Sequence, residues 1–205
     1  MKVKICGITN EEIASLVDQC GCDFLGVVFY EKSPRFVDIK QSAKIAQVIH
    51  RCKKVAVVVE PNFLEIAEII DNFSPDFFQF HGQITRDFLE QFNNKYPQLK
   101  TILALGIQDS SDLNKIDNFD DLVDYFLFDG KESGSGKAFD WNILSNFNCP
   151  KPWFLAGVLT LDNILQAIKI TKANNIDISS GLEKVRGLKD RDLINALMKQ
   201  LNKIS

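Results

Sequence analysis

Residues 54–70, KVAVVVEPNFLEIAEII, carry the pattern that decides the fold. The segment begins with a β-branched run, which is typical of a buried strand. A short polar break follows, and apolar residues then recur at helical spacing, as at Ile66, Ile69 and Ile70. The segment is therefore expected to form one strand followed by one amphipathic helix.

Strand-like runs of this kind recur at nearly even spacing along the chain. The eight runs cover residues 3–5, 24–29, 54–59, 77–80, 100–104, 125–128, 153–156 and 177–178. Amphipathic segments separate them, and each unit averages about 25 residues, so we expect an α/β fold, a single-domain (β/α)8 TIM barrel over residues 1–205. A doubly wound open sheet is the rival fold, but it usually has fewer strands, and no G-x-G-x-x-G motif follows any strand.

The charge balance and hydropathy of the chain argue against several classes of protein. The chain has 24 basic and 27 acidic side chains and a formal net charge of −3, so it lacks the basic surface of a nucleic-acid-binding protein. No window approaches the ~18 consecutive apolar residues of a membrane span. The first residues show no secretory signal pattern. We expect no nucleic-acid partner, no membrane association and a cytoplasmic location.

The cysteines and histidines do not predict a metal site. Five cysteines occur, at positions 6, 20, 22, 52 and 149, and none of their spacings is a C-x-x-C or zinc pattern. The two histidines are His50 and His81. We expect reduced thiols and no metal.

Side-chain alternation predicts which residues share the mouth of the barrel. If Cys6 at the end of the first strand points into the mouth, Lys4 lies beneath it. Three other side chains take matching positions at strand ends: His81, Asp129 and Ser179. A thiol and a carboxyl group across a cavity can act as base and acid. The alternatives are a buried apolar role for Cys6, a loop-capping role for Asp129 and a turn position for His81.

Loops at the same end of the barrel are candidates for binding anions. Residues 156–158 and 179–181 contain glycine and follow the seventh and eighth strands, where barrels commonly bind phosphate. Arg35, after the second strand, could pair bidentately with a carboxylate or phosphate, and a solvated position is the alternative. The glycine-rich loop at residues 130–140 follows the sixth strand, and we expect it to be functional.

Seven segments resemble, in order, the motifs of one enzyme family, phosphoribosylanthranilate isomerase. They are residues 4–9, 29–35, 79–82, 127–129, 134–141, 155–157 and 177–183. Together they span nearly the whole chain, and each lies at a predicted strand end.

The resemblance implies a cofactor-free Amadori rearrangement of a small-molecule phosphosugar in tryptophan biosynthesis. In this family N-(5′-phosphoribosyl)anthranilate becomes 1-(o-carboxyphenylamino)-1-deoxyribulose 5-phosphate. By the family pattern, Asp129 is the general acid that opens the furanose ring, and Cys6 is the general base that removes the C2′ proton. Arg35 is expected to hold the anthranilate carboxylate and His81 to line the pocket. The expected phosphate-binding residues are Gly157, Ser180 and Gly181.

The two proton transfers require opposite pKa shifts in one pocket. Asp129 needs a raised pKa so that it starts protonated, and Cys6 needs a lowered pKa so that its thiolate is available. We expect Lys4 to supply part of the positive field on Cys6, shared with Asp177 on the adjoining eighth strand.

One position departs from the family pattern. The family has Leu-Ala-Gly-Gly-Leu after the seventh strand, whereas residues 155–159 here are LAGVL. If Val158 needs a positive φ, it is strained by on the order of 1–3 kcal/mol, and the affinity for phosphate depends on this residue.

Two alternative functions are open on the sequence. The histidine-pathway isomerase performs the same rearrangement on a different aminoaldose, but that family carries aspartate where this chain has Cys6. A non-catalytic phosphosugar-binding barrel is the second alternative, and Val158 is the feature that favours it. We expect a monomer, with a homodimer as the alternative assembly.

Overall fold

A closed barrel of parallel strands forms the centre of the molecule. The structure is a computed structural model that describes residues 1–130 and 139–203. The barrel strands are β1 (Lys2–Cys6), β2 (Phe24–Val28), β3 (Lys53–Val59), β4 (Phe77–His81), β5 (Lys100–Ile107), β6 (Tyr125–Gly130), β7 (Trp153–Leu155) and β8 (Asn175–Ile178). β1 pairs with both β2 and β8, which closes the barrel and excludes an open sheet. The predicted (β/α)8 barrel is confirmed.

Helical segments follow the strands and cover the outside of the barrel. The α-helices of the described residues are α1 (Glu11–Gln19), α2 (Ile39–Gln47), α3 (Phe63–Phe73), α4 (Arg86–Lys95), α5 (Ile164–Thr171) and α6 (Arg191–Leu201). The 3₁₀ helices Ser110–Asn118, Trp141–Leu144 and Ser180–Leu182 follow β5, β6 and β8. A hairpin of β9 (Glu183–Val185) and β10 (Leu188–Lys189) then leads into α6.

Polar side chains in the loops determine where helices begin. Asn62 caps α3 by accepting hydrogen bonds from the N–H groups of Leu64 and Glu65, and the Glu65 side chain accepts one from the Asn62 N–H in return. Thr85 caps α4 and Asp190 caps α6. The helix predicted within residues 54–70 therefore starts directly after the polar break in that stretch.

Apolar side chains form two cores, one on each side of the sheet. The outer core lies between the strands and the helices and includes Phe78, Phe80, Phe126 and Phe128. Inside the barrel, four rings pack mostly edge to face with centroids 5.2–6.2 Å apart. These rings belong to Phe24, Phe77, Tyr125 and Phe154, and we call them the aromatic floor. Because they lie near the starts of their strands, they leave the other end of the barrel for polar side chains.

Predicted and observed strands differ chiefly at their ends. β5 continues to Ile107 because residues 105–107 pair with β6, and β8 begins at Asn175 because residues 175 and 176 pair with β1. No helix in the described part of the chain is long and apolar enough to cross a membrane. The assignment of residues 1–205 to a single domain stays a prediction.

Candidate active site

The predicted strand-end residues meet at one end of the barrel. Cys6 ends β1, and His81 ends β4. Asp129 is the next-to-last residue of β6, and Ser179 directly follows β8. Because the strands are parallel, these positions lie at the same carboxyl-terminal opening, opposite the aromatic floor.

Lys4 lies inside the barrel beneath Cys6. Its side chain is fully buried, and Nζ of Lys4 lies 3.0 Å from Oδ1 of Asp177 on β8. The partner of Cys6 on β2 is Gly26, where an added Cβ would lie 2.9 Å from Sγ of Cys6 and 3.3 Å from Nζ of Lys4. The thiol and the ammonium group therefore share the space that this glycine leaves open.

The expected lowering of the Cys6 pKa is wrong. Burial raises the pKa of Cys6, and it outweighs the lowering effect of the positive charges on Lys4 and Lys189. Burial lowers the pKa of Lys4, but the charges of Asp177 and Cys6 more than compensate, so the Lys4 pKa is raised. Lys4 thus acts on Cys6 in the predicted direction, while desolvation of the thiol has the larger effect.

Asp129 and Gly157 lie side by side on adjacent strand ends. Oδ1 of Asp129 accepts a hydrogen bond of 2.7 Å from the Gly130 N–H. A Cβ added to Gly157 would lie 3.0 Å from that same oxygen, and Gly157 has a φ of +86°. Glycine at 157 therefore leaves room beside the carboxyl group. Of the predicted functional loop at residues 130–140, residues 131–138 lie outside the described residues.

The loops after β7 and β8 contact each other. A Cβ added to Gly181 would lie 1.9 Å from the carbonyl oxygen of Leu159, so the approach of the two loops requires glycine. Ser180 is exposed and begins the 3₁₀ helix there. Val158 has a φ of +52°, so this valine occupies the left-handed region in which β-branched residues are strained.

His81 is an uncharged member of the site at neutral pH. Burial and the positive charge of Lys4 lower the pKa of His81 to about 4. Its Nε2 atom lies 2.6 Å from the side-chain amide nitrogen of Gln79. Oε1 of Gln79 is buried and has no hydrogen-bond partner among the described residues. His81 can therefore exchange hydrogen bonds at the mouth without adding a charge.

Sequence reasoning missed two buried charges beside Arg35. The Arg35 guanidinium pairs bidentately with Glu183. The alternative prediction, that Arg35 lies in a solvated loop, is therefore wrong. Nζ of Lys189 lies 2.5 Å from Oε1 of the same Glu183. The available signal was the run of mixed charges at residues 183–190, a pattern that usually indicates a solvated surface. The β9–β10 hairpin buries these side chains instead.

Comparison with known proteins decides the family. A family model described as N-(5'phosphoribosyl)anthranilate (PRA) isomerase matches residues 3–200. The chain belongs to this family. It is therefore an isomerase, and the family assignment decides against the histidine-pathway alternative. The phosphoribosylanthranilate isomerase of Petrotoga mobilis is 38% identical, with 100% of this chain and 98% of that protein covered.

Solved structures of phosphoribosylanthranilate isomerases share the fold of this chain. One, of monomers generated from the dimeric Thermotoga maritima enzyme, has a TM-score of 0.84 and 27% identity, with 99% of each chain covered. Another, in complex with reduced 1-(o-carboxyphenylamino)-1-deoxyribulose 5-phosphate, has a TM-score of 0.85 and 26% identity, with 99% of each chain covered. No group of three or more metal-ligating side chains occurs within residues 1–130 and 139–203.

Proposed function

We propose that the barrel mouth isomerises N-(5′-phosphoribosyl)anthranilate to 1-(o-carboxyphenylamino)-1-deoxyribulose 5-phosphate in tryptophan biosynthesis, without a cofactor. Asp129 acts as the general acid and Cys6 as the general base. The observation that carries the proposal is a thiol beside a buried lysine, at the same barrel opening as a carboxyl group. Cys6 on β1 and Asp129 on β6 lie on strands separated by β7 and β8, so a substrate between them can meet both groups.

The first step opens the furanose ring. Asp129 donates its proton to the ring oxygen as the bond from that oxygen to C1′ breaks. The lone pair of the anilino nitrogen forms the C1′=N bond, which gives a protonated Schiff base. The space beside Oδ1 of Asp129, left by Gly157, allows the sugar ring to approach the acid closely.

The second step transfers the carbon-bound proton. The Cys6 thiolate removes the C2′ proton, the C–H electron pair forms the C1′=C2′ bond, and the C1′=N electrons return to nitrogen. Tautomerisation of this enolamine, with a proton added at C1′, yields the ketone at C2′. Since burial raises the Cys6 pKa, the thiolate needs positive charge, which Lys4 and Lys189 supply. The Schiff-base cation adds another positive charge in the step that requires the thiolate.

Binding uses the anionic ends of the substrate. Arg35 takes the anthranilate carboxylate, because its guanidinium is held at the mouth and is 19% exposed. His81 lines the pocket as a neutral group. Backbone N–H groups of the two contacting loops bind the phosphate, at Gly157, Ser180 and Gly181.

Loss of anthranilate-type fluorescence tests the proposal. Purified protein is mixed with freshly made phosphoribosylanthranilate, alongside Cys6→Ala and Asp129→Asn. Each variant is expected to lose turnover by about 10²–10⁴-fold, the usual contribution of a general acid or base. Cys20→Ala, at the C-cap of α1, and Asp71→Asn, on α3, are matched controls outside the barrel and should keep wild-type rates. If wild type binds the phosphosugar without turnover, the chain is a binding barrel, and Val158 is the first residue to replace.

The assembly and location of the protein belong to the same proposal. We expect a monomer, and the dimeric Thermotoga maritima relative makes a homodimer the alternative. Light scattering at micromolar concentration separates the two. All five cysteines are free thiols, which suits the reducing cytoplasm. Cell fractionation tests this location.

A further inference from the structure

Glu183 is a buried carboxylate whose oxygens are saturated with hydrogen bonds. Its side chain is 3% exposed and accepts from Nε and Nη2 of Arg35 at 2.6 and 2.9 Å. It also accepts from Nζ of Lys189 at 2.5 Å and from the Gly187 N–H at 3.0 Å. Burial alone would raise the pKa of Glu183, but Arg35 and Lys189 outweigh it and lower the pKa to about 2. Glu183 therefore stays charged and holds Arg35 on one side.

The ion pair with Glu183 leaves one edge of the Arg35 guanidinium available for a second carboxylate. Glu183 occupies the edge formed by Nε and Nη2, and Nη1 has no hydrogen bond to any residue within 1–130 and 139–203. The aliphatic part of Arg35 packs over Gly7, where an added Cβ would lie 2.4 Å from Cδ of the arginine. A guanidinium has five N–H donors and can bind one carboxylate on each edge. The second edge therefore matches a carboxylate on the substrate.

Lys189 decides the net charge of this cluster. Its side chain is 1% exposed, and burial lowers its pKa, while the ion pair with Glu183 opposes that shift. If Lys189 were neutral, Glu183 would cancel the charge of Arg35. With Lys189 charged, the three groups together keep one positive charge. Lys189 also lies 3.4 Å from Oγ of Ser179, whose hydroxyl donates to the Cys6 carbonyl at 3.0 Å, so this charge is close to the catalytic strand end.

We propose that Glu183 and Lys189 are positioning residues for the substrate carboxylate. Glu183 fixes the Arg35 guanidinium so that its second edge faces the substrate, and Lys189 supplies the positive charge that Glu183 would otherwise cancel. The inference rests on the proposed role of Arg35 as the carboxylate-binding residue.

The experiment compares two inhibitors that differ only in the carboxylate. One is reduced 1-(o-carboxyphenylamino)-1-deoxyribulose 5-phosphate, and the other is the same molecule without the carboxyl group. Calorimetry gives the ratio of their dissociation constants for each protein. Wild type should prefer the carboxylated molecule by at least about tenfold, the effect expected of one charge-assisted hydrogen bond. In Glu183→Gln and Lys189→Met the ratio should fall toward one.

Controls separate positioning from folding. Lys189→Arg keeps the charge and should keep most of the preference even if the hairpin shifts. Lys184→Met makes the same change as Lys189→Met at an exposed position of β9 and should leave the ratio unchanged. A loss of affinity for both inhibitors equally would show a structural role for the hairpin and overturn the inference.

Arg35→Ala distinguishes failure of the inference from failure of the proposed function. If Arg35→Ala loses the preference while Glu183→Gln and Lys189→Met keep it, the inference is wrong and the role of Arg35 stands. If wild type itself shows no preference, the proposed role of Arg35 fails, and the inference fails with it.

Discussion

Replacing Lys4 with methionine is expected to destabilise the barrel. Methionine fills much of the space of lysine, so the change removes a charge with little loss of volume. Asp177, which is 8% exposed, would lose its ammonium partner at 3.0 Å. Breaking a buried ion pair in this way costs about 3–5 kcal/mol, and each kcal/mol lowers Tm by about 2–4 °C in a protein of this size. The melting temperature should therefore fall by about 6–20 °C.

The same substitution is expected to raise the Cys6 pKa further. Lys4 lowers the Cys6 pKa more than Lys189 does, so its removal leaves the effect of burial on this pKa less opposed. The rate of Cys6 alkylation by iodoacetamide, followed by peptide mass spectrometry across pH, reports the thiolate fraction. The midpoint of that profile should move to higher pH.

Urea unfolding of Lys4→Met and two further variants separates the effect of burial from the effect of losing an ion pair. Lys53→Met removes an ion pair of the same 3.0 Å length, but Lys53 is 60% exposed, so the cost should be below about 1 kcal/mol. The double variant Lys4→Met/Asp177→Leu should recover most of the lost stability, because no unpaired charge remains. An unchanged free energy of unfolding in Lys4→Met, or an unchanged Cys6 profile, would refute the reasoning.

The pH dependence of the Lys4 effect has a definite sign. The folded pKa of Lys4 is raised, so the stability from its ion pair is fully present below the unfolded pKa of about 10.4. That stability is lost only as the pH rises through the folded pKa. The difference between wild type and Lys4→Met should therefore be constant from about pH 6 to about pH 9.

Three further substitutions test particular contacts. Gly26→Ala should lower kcat more than it raises KM, because the new Cβ would lie 2.9 Å from Sγ of Cys6. An unchanged kcat in the fluorescence assay would contradict this prediction. Val158→Gly should lower KM, because glycine adopts the φ of +52° without strain and opens the approach to the loop that we propose binds phosphate. Equal KM values would show the valine to be harmless. His81→Gln should flatten the stability profile between about pH 6.5 and pH 4. In wild type the His81 pKa of about 4 in the folded state lies below its value in the unfolded state, so the free energy of unfolding falls by up to about 3 kcal/mol as the pH drops through this window. If the variant shows the same pH profile in urea unfolding, His81 is not the cause of that fall.

The strand pattern of the barrel was predictable because it depends on local composition. A barrel strand has most of its residues buried on both faces, as in residues 54–59, and therefore consists of a nearly continuous apolar run. Such a run is visible in the sequence. Strand ends were less predictable, as at Ile107, because pairing with the neighbouring strand sets them.

The positions of Cys6 and Asp129 at the ends of their strands were predictable from the sequence, but the direction of the Cys6 pKa shift was not. Alternation along β1 placed Lys4 below Cys6, and the structure has that arrangement. The direction of the Cys6 pKa was wrong, because it depends on how completely the thiol loses water. That loss results from the closure of the whole barrel and cannot be read from neighbours in the sequence.

The sequence by itself determined the barrel, the family and the residues at the strand ends, since strand periodicity and short motifs are local properties. Only the tertiary structure brought Glu183 and Lys189 to Arg35, because Glu183 is 148 positions from Arg35 in the sequence. The residues meet through the β9–β10 hairpin, which follows the last barrel strand. Burial turns that run of charges into a cluster in which Glu183 pairs with both Arg35 and Lys189. The sequence shows which residues carry a charge. Which of those charges lose water, and which groups they pair with, depends on the tertiary structure.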